Sequence, residues 1–273
     1  MNSLEKADRF AIVFGVLTLL LSFAVYLLPL PRTVLPFLMV LLPAFMAIGL
    51  TALSEGQSGV RSLLSKLGQW RISPKWLIIT MSLALSVRLA ISLVALLLGL
   101  IPTIQVRSGS AGQLFMLALI FIISAIPEEL GWRGYALPKL LAHHSALTAS
   151  LFIGMGWGSL HLALLLPGMM NEGVAPLPTV FALVGGSVLL TWLYVNSGGR
   201  IVLTTIFHAA QSFFVIVNEG IPPEQQMWLM AGVYLTAALL IASLSGWKLT
   251  QASTAKRTIN HSLHPRVDDT PPS

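Results

Sequence analysis

Residues 114–133 read LFMLALIFIISAIPEELGWR, and this stretch decides the fold class. Its first part is apolar almost throughout, and a helix needs about 20 mostly apolar residues to cross a bilayer. Glu128, Glu129 and Arg133 follow at the end of the apolar run. The segment is therefore predicted to be a membrane helix that carries three charged side chains, which such helices rarely contain.

The composition of the whole chain agrees with a membrane protein. Hydrophobic residues make up 55% and charged residues 10% of the 273 residues, and the mean hydropathy is +0.82. A soluble domain carries about a quarter charged residues, so this chain could not cover a water-facing surface. There is no cysteine, which excludes disulfides, thiolate metal ligands and cysteine nucleophiles.

Apolar segments of membrane-spanning length recur along the chain and predict an all-α fold, a polytopic membrane helix bundle of about eight transmembrane helices with the active site inside it. The predicted helices are 10–30, 34–54, 76–101, 112–132, 147–167, 177–197, 200–218 and 226–246. A polar, basic loop is expected at 54–75. Residues 1–247 are predicted to form one transmembrane domain with its motifs within 112–218, and residues 248–273 a disordered cytoplasmic tail.

The basic residues lie mostly on one side of this predicted bundle. The side that carries both termini holds Lys6, Arg9, Arg61, Lys66, Arg71, Lys75, Arg133, Lys139, Arg200, Lys248, Lys256, Arg257 and Arg266. The opposite side holds only Arg32 and Arg107. Because cytoplasmic loops carry an excess of Lys and Arg, both termini are predicted to be cytoplasmic. The net charge of +6 thus reflects orientation, and no nucleic-acid partner is expected.

Ionisable side chains inside predicted helices are the informative ones, since each costs roughly 2.5–3.5 kcal/mol at the bilayer centre. Glu129 and Arg133 are four residues apart and can pair on one helix face. Glu128 lies about 100° around the helix, free to serve as a general base. The alternative is an interfacial Glu–Arg pair that only anchors the helix end. Arg88 is interpreted as a packing residue bonded to carbonyl groups, or as a counter-charge to a glutamate.

Two further predicted helices each contribute a histidine. Trp157 and His161 share a face at four-residue spacing, as do His208 and Ser212. Either histidine alone is equally consistent with helix packing. Together with a carboxylate, two imidazoles can activate water and stabilise an oxyanion. Glu128, His161 and His208 could equally hold zinc or another divalent metal, although the His-Glu-x-x-His spacing of zinc proteases is absent.

These motifs resemble those of the CAAX protease and bacteriocin-processing family of intramembrane proteases. Glu128, Glu129 and Arg133 match Glu-Glu-x-x-x-Arg, and Trp157 and His161 match an aromatic residue followed four residues later by His. The third motif, His-x-x-x-Asn, finds His208 but has Ser212 at the Asn position.

The resemblance implies that Glu128 and His161 activate the attacking water and that His208 and Ser212 stabilise the oxyanion. Glu129, Arg133 and Trp157 would shape the site. No cofactor is favoured. We expect a bacterial inner-membrane endopeptidase with a cytoplasm-facing site, acting within the lipid bilayer on a peptide or membrane-protein substrate. A non-proteolytic peptide-binding or bacteriocin-immunity protein is the alternative, and a transporter is a third.

The expected helix ends place the histidines at different depths. His161 would lie roughly 21 Å from the start of its helix, but His208 only about 12 Å from Arg200, with Glu128 similarly shallow. A tilted helix and an interfacial segment at 135–145 would reconcile these depths.

Overall fold

The computed structural model describes residues 3–250, with side chains from residue 8 onward. Within this part the chain forms nine α-helices: α1 (Ser3–Tyr26), α2 (Leu35–Ser65), α3 (Pro74–Leu97), α4 (Ala111–Glu129), α5 (Leu137–Leu141), α6 (Ala146–His161), α7 (Pro176–Asn196), α8 (Ile201–Phe213) and α9 (Pro223–Ser245). A π-helical stretch, Leu130–Ala136, joins α4 to α5. Short 3₁₀ turns follow α2, α6 and α8.

Eight helical segments of the described residues are long and apolar enough to cross a membrane. They are Asp8–Tyr26, Leu35–Gly68, Pro74–Leu97, Ala111–Leu141, Ala146–Leu165, Pro176–Asn196, Ile201–Asn218 and Pro223–Ser245. The predicted all-α bundle of about eight transmembrane helices is thus confirmed.

The fourth span is longer than predicted. It does not end near residue 132 but continues through the π-helical stretch to Leu141. Glu128 therefore lies roughly 20 Å from the end of the helical segment, farther than the predicted end near residue 132 implied. The predicted interfacial segment 135–145 is wrong at its start, because Tyr135 and Leu137 are buried in the bundle.

The predicted loop at 54–75 is also mostly helix. α2 runs to Ser65 and bends at Gly56, whose positive φ of 67° is a conformation that glycine adopts at little cost. Only the residues between Ser65 and Pro74 connect α2 to α3. The bend changes the direction of α2, and the polar part of the helix after Gly56 continues to the short connection with α3.

Close helix contacts hold the inner helices together. A Cβ atom on Gly154 of α6 would lie 2.6 Å from the Cα of Val184 in α7, and one on Gly185 would lie 2.7 Å from the backbone of Tyr234 in α9. Small residues permit such approaches between membrane helices. α7 is consequently enclosed, with 67% of its span buried, whereas α1 and α2 each bury 22%.

The chain after α9 begins by packing against the bundle. Leu249 is buried, and its carbonyl oxygen accepts a hydrogen bond from the side chain of Asn196 at 2.6 Å. The rest of the predicted tail, 251–273, lies outside the described residues.

Candidate active site

Glu128 at the end of α4 is held by a tryptophan of α6. The indole Nε1 of Trp157 donates a hydrogen bond to Glu128 Oε2 at 2.5 Å, and both residues are buried. No hydrogen bond from the described residues engages the other carboxylate oxygen, and Glu128 lines a cavity. One oxygen is thus fixed in place while the other remains available to a molecule in that cavity.

Glu129 points to a different set of partners. Its Oε1 lies 3.0 Å from Arg133 Nη1 and 3.0 Å from His208 Nδ1 on α8. The side chains of Glu129 and Arg133 are fully buried, and that of His208 is 16% exposed. The predicted Glu129–Arg133 ion pair is therefore present, and the 100° step between Glu128 and Glu129 separates a cavity-facing carboxylate from a paired one.

His161 is oriented by the backbone of its own helix. Its Nδ1 lies 2.9 Å from the carbonyl oxygen of Trp157. A carbonyl only accepts, so Nδ1 carries the proton, and in the neutral ring Nε2 keeps a free lone pair. The four-residue spacing noted in the sequence thus selects the tautomer as well as the face.

Trp157 contacts Glu128, Arg133 and both histidines. Its ring packs edge-on against His161 and His208, with centroid distances of 5.7 and 5.2 Å. The guanidinium carbon of Arg133 lies 4.7 Å from the centroid of the same ring, within cation–π range. Trp157 therefore connects α4, α6 and α8 at one level of the bundle, which resolves the depth difference expected between the histidines.

All four residues predicted to be catalytic line one cavity of about 540 Å³. They are Glu128, His161, His208 and Ser212, and the hydroxyl of Ser212 makes no hydrogen bond to another described residue. Asn171, in the loop after α6, lines the cavity beside them. A volume of this size is typical of ligand-binding pockets, roughly 300–1,000 Å³.

A second cavity, of about 190 Å³, adjoins the first. His161, Asn171, His208 and Ser212 line both. Arg88, Phe207 and Tyr234 belong to the second cavity alone. The two cavities therefore meet at the predicted catalytic side chains.

Comparison with known proteins identifies the same region. Residues 110–214 match the family described as Type II CAAX prenyl endopeptidase Rce1-like. Over 155 residues the chain is 25% identical to CAAX prenyl protease 2 of Methanococcus maripaludis, which covers 52% of this chain and 56% of that protein. The chain thus spans about half the length of the curated relative it matches.

The matched segment is thus similar to type II CAAX prenyl endopeptidases.

The matched segment runs from just before α4 to the end of α8 and contains every predicted site residue. Arg88 of α3 lies outside it. Arg88 Nε donates to the carbonyl oxygen of Gln211 at 2.7 Å, and its Nη1 lies 3.4 Å from Asn218 Oδ1. These contacts agree with the interpretation of Arg88 as bonded to carbonyl groups. No ion pair between Arg88 and a glutamate occurs among the described residues.

Sequence reasoning missed Asn171. This residue lies in a loop, outside the helical periodicities that brought out the histidines and glutamates. Its backbone is anchored, because its N–H donates to the carbonyl of Leu164 at 3.0 Å and its carbonyl accepts from Val174 at 3.2 Å. Only the folding of that loop against the cavity reveals the position of its side chain, and no local motif in the sequence points to it.

The larger cavity reaches the loops that follow α1 and α6, through Arg32, Thr33, Gly168, Met169 and Met170. In an eight-span chain these loops lie on the side opposite the termini. The larger cavity therefore reaches the side opposite the termini, whereas the sequence predicts a cytoplasm-facing site with cytoplasmic termini.

No group of three or more His, Cys, Asp or Glu side chains among the described residues is arranged to hold a metal ion. Glu128 and the two histidines line one cavity, but Glu128 Oε2 and His208 Nδ1 are already committed to Trp157 and Glu129.

Proposed function

We propose that this protein is an intramembrane endopeptidase that hydrolyses a peptide bond with water activated by Glu128 and His161. The observation that carries the proposal is that the two carboxylate oxygens of Glu128 have different environments. One oxygen accepts a hydrogen bond from Trp157. The other oxygen has no partner among the described residues, and Glu128 lines the larger cavity. A fixed carboxylate with one free oxygen beside a histidine is suited to general-base chemistry.

In the first step a water in the cavity donates a hydrogen bond to the free oxygen of Glu128. Its other hydrogen can be accepted by Nε2 of His161, since Nδ1 of that ring is used by the Trp157 carbonyl. Glu128 takes the proton as the water oxygen bonds to the carbonyl carbon of the substrate. The electron pair of the C=O bond moves onto its oxygen and forms the tetrahedral oxyanion.

His208 is placed to bind that oxyanion. Glu129 occupies its Nδ1, so a ring protonated on both nitrogens presents Nε2–H to the cavity. The charges of the cluster favour this form, because two buried carboxylates face one arginine and a second cation makes the group neutral. The hydroxyl of Ser212 and the carboxamide of Asn171 are additional donors in the same cavity.

Collapse of the intermediate needs a proton on the leaving nitrogen. Glu128, now a carboxylic acid, returns the proton that it took from water, the C–N bond breaks, and the oxyanion becomes the carbonyl of a new carboxyl group. Each group thereby regains its starting state. The step uses no metal, and we propose a metal-free site.

The proposed substrate is a peptide or a segment of a membrane protein that enters the cavity within the lipid bilayer. We further propose a bacterial inner-membrane location with cytoplasmic termini, which the distribution of Lys and Arg residues supports. The apolar walls of the larger cavity, including Phe37, Val40 and Ile120, suit a hydrophobic segment.

The replacement Glu128→Gln tests the proposal. It keeps the size of the side chain and a carbonyl oxygen for Trp157 but removes the basic carboxylate, so turnover should fall by about 10²–10⁴ while expression and peptide binding persist. Cleavage of a trapped or co-purifying peptide would be followed by mass spectrometry at equal amounts of folded protein. Glu55→Gln is the matched control, because Glu55 pairs with Lys139 away from the site.

Wild-type turnover in the Glu128→Gln variant would falsify the glutamate mechanism. A wild-type protein that binds the peptide but never cleaves it would instead identify a peptide-binding or immunity protein built on the same fold. Ser212 at the position of the family's Asn is the feature that favours this second function.

A further inference from the structure

Arg88 is a buried cation that the hydrolytic steps do not use. It lies on α3 with 7% of its surface exposed. Nε donates to the carbonyl oxygen of Gln211 at 2.7 Å, and Nη1 approaches Asn218 Oδ1 at 3.4 Å and Met230 Sδ at 3.6 Å. All three partners are neutral, so the contacts orient the guanidinium without balancing its charge.

Asn218 is itself held in place, since its amide nitrogen donates to the carbonyl of Arg88 at 2.9 Å and to Ser92 Oγ at 2.7 Å. Arg88 forms no ion pair with a carboxylate among residues 8–250, and its Nη2 makes no hydrogen bond there. A buried charge without a counter-ion is costly, and buried charges in proteins are normally paired. The guanidinium is therefore held in position without a carboxylate partner among the residues that the structure describes.

The second cavity could hold an anion next to Arg88. Arg88 lines it together with His161, His208 and Ser212, which also line the larger cavity. The other walls are largely apolar and include Leu183, Leu190, Phe207 and Met227. An anionic group here would lie beside the reacting centre, in surroundings where a charge-assisted hydrogen bond to arginine is strong.

We propose that Arg88 forms an anion subsite that binds a carboxylate group of the peptide substrate. The assignment rests on the proposed peptidase function for the identity of the ligand. The planar guanidinium suits a carboxylate, because its donors match the two oxygens. The bound carboxylate balances the charge of Arg88 and fixes the peptide relative to His161 and His208.

The test is a binding measurement that does not depend on turnover. The probes are the apolar tripeptide Ala-Leu-Leu with a free C-terminal carboxylate, the same tripeptide as its C-terminal amide, and acetate. Dissociation constants would be measured by calorimetry on purified full-length protein in detergent. We expect the acid to bind at least about tenfold more tightly than the amide, as is typical of a hydrogen bond to a charged group.

Substitutions at Arg88 test whether this side chain causes the preference for the acid over the amide. Arg88→Gln should bring the ratio of the two dissociation constants close to one, whereas Arg88→Lys should retain part of the preference. Met230→Leu is the matched control, since Met230 contacts Arg88 in the same cavity but is neutral. If Arg88→Gln does not fold, the wild-type ratio and the Arg88→Lys variant still decide the question.

Equal affinity of the wild type for acid and amide would overturn the subsite, as would an unchanged ratio in folded Arg88→Gln. Acetate that displaces the tripeptide at the same concentration would identify a simple anion site and overturn the peptide assignment. The proposed function fails by a different result, full cleavage by Glu128→Gln or no cleavage by the wild type. The two failures are therefore distinguishable.

Discussion

Ser212 and Asn171 line both cavities beside His161 and His208, and they differ in what they can donate. A serine hydroxyl is short and must rotate to donate, whereas a carboxamide presents fixed N–H groups. If Ser212 is an oxyanion donor, Ser212→Ala should lower turnover and Ser212→Asn should leave it unchanged or raise it. Cleavage of an identified peptide by matched amounts of folded protein measures both variants. An active Ala variant with an inactive Asn variant would remove Ser212 from the mechanism.

Asn171 is predicted to share this task. Asn171→Ala should reduce turnover by up to about 10²–10³, the effect of losing one oxyanion donor. The loss should be smaller in a Ser212→Asn background, because the new amide supplies a donor to the same cavity. A double-mutant cycle on the cleavage rate measures this coupling. Strictly additive effects would show that the two positions act separately.

The metal-free mechanism makes a prediction at the same scale. The proposed steps use Glu128 and the two histidines without a metal ion, so full activity is expected after prolonged treatment with a chelator. Metal content would be measured on the active preparation by mass spectrometry. Stoichiometric zinc that leaves together with activity, and restores it when added back, would contradict the proposal.

At the scale of helices, the π-helical stretch between α4 and α5 follows directly after the two glutamates and packs against α2. Gly131 lies against α2, where an added Cβ would be 2.6 Å from the carbonyl oxygen of Pro43. Gly131→Ala should therefore destabilise the protein by about 1–3 kcal/mol, the usual effect of overpacking. Thermal unfolding in detergent would report it. Gly112→Ala on the same span is the control, because its nearest neighbour would be 4.0 Å away. Equal stability of both variants would refute a tight contact between α2 and the π-helical stretch.

At the scale of the whole molecule, the termini and the opening of the larger cavity are predicted to lie on opposite sides of the membrane. The excess of Lys and Arg residues predicts cytoplasmic termini, and the larger cavity reaches the opposite loops. The chain contains no cysteine, so single thiols can be introduced at Met170, in a cavity-side loop, and at Trp70, in a terminus-side loop. An impermeant maleimide should label Met170→Cys in intact cells and Trp70→Cys only after lysis. Reversed labelling would place the cavity on the cytoplasmic side.

The sequence by itself determined the eight-helix membrane bundle, and it predicted four catalytic residues that line one cavity. Long apolar runs are a local property, and ionisable residues inside them are conspicuous because burial of a charge is costly. The spacing of Glu129 and Arg133 also predicted their ion pair, since residues four apart on a helix share a face.

Only the tertiary structure decided how far the fourth span extends, which oxygen of Glu128 is free, and that Asn171 and Arg88 line cavities at the site. These features depend on contacts between segments distant in sequence, such as Trp157 with Glu128 and Arg88 with Gln211. Helical periodicity indicates which face of a helix is apolar, but it does not specify which neighbour that face meets or at what depth. Packing between helices fixes both.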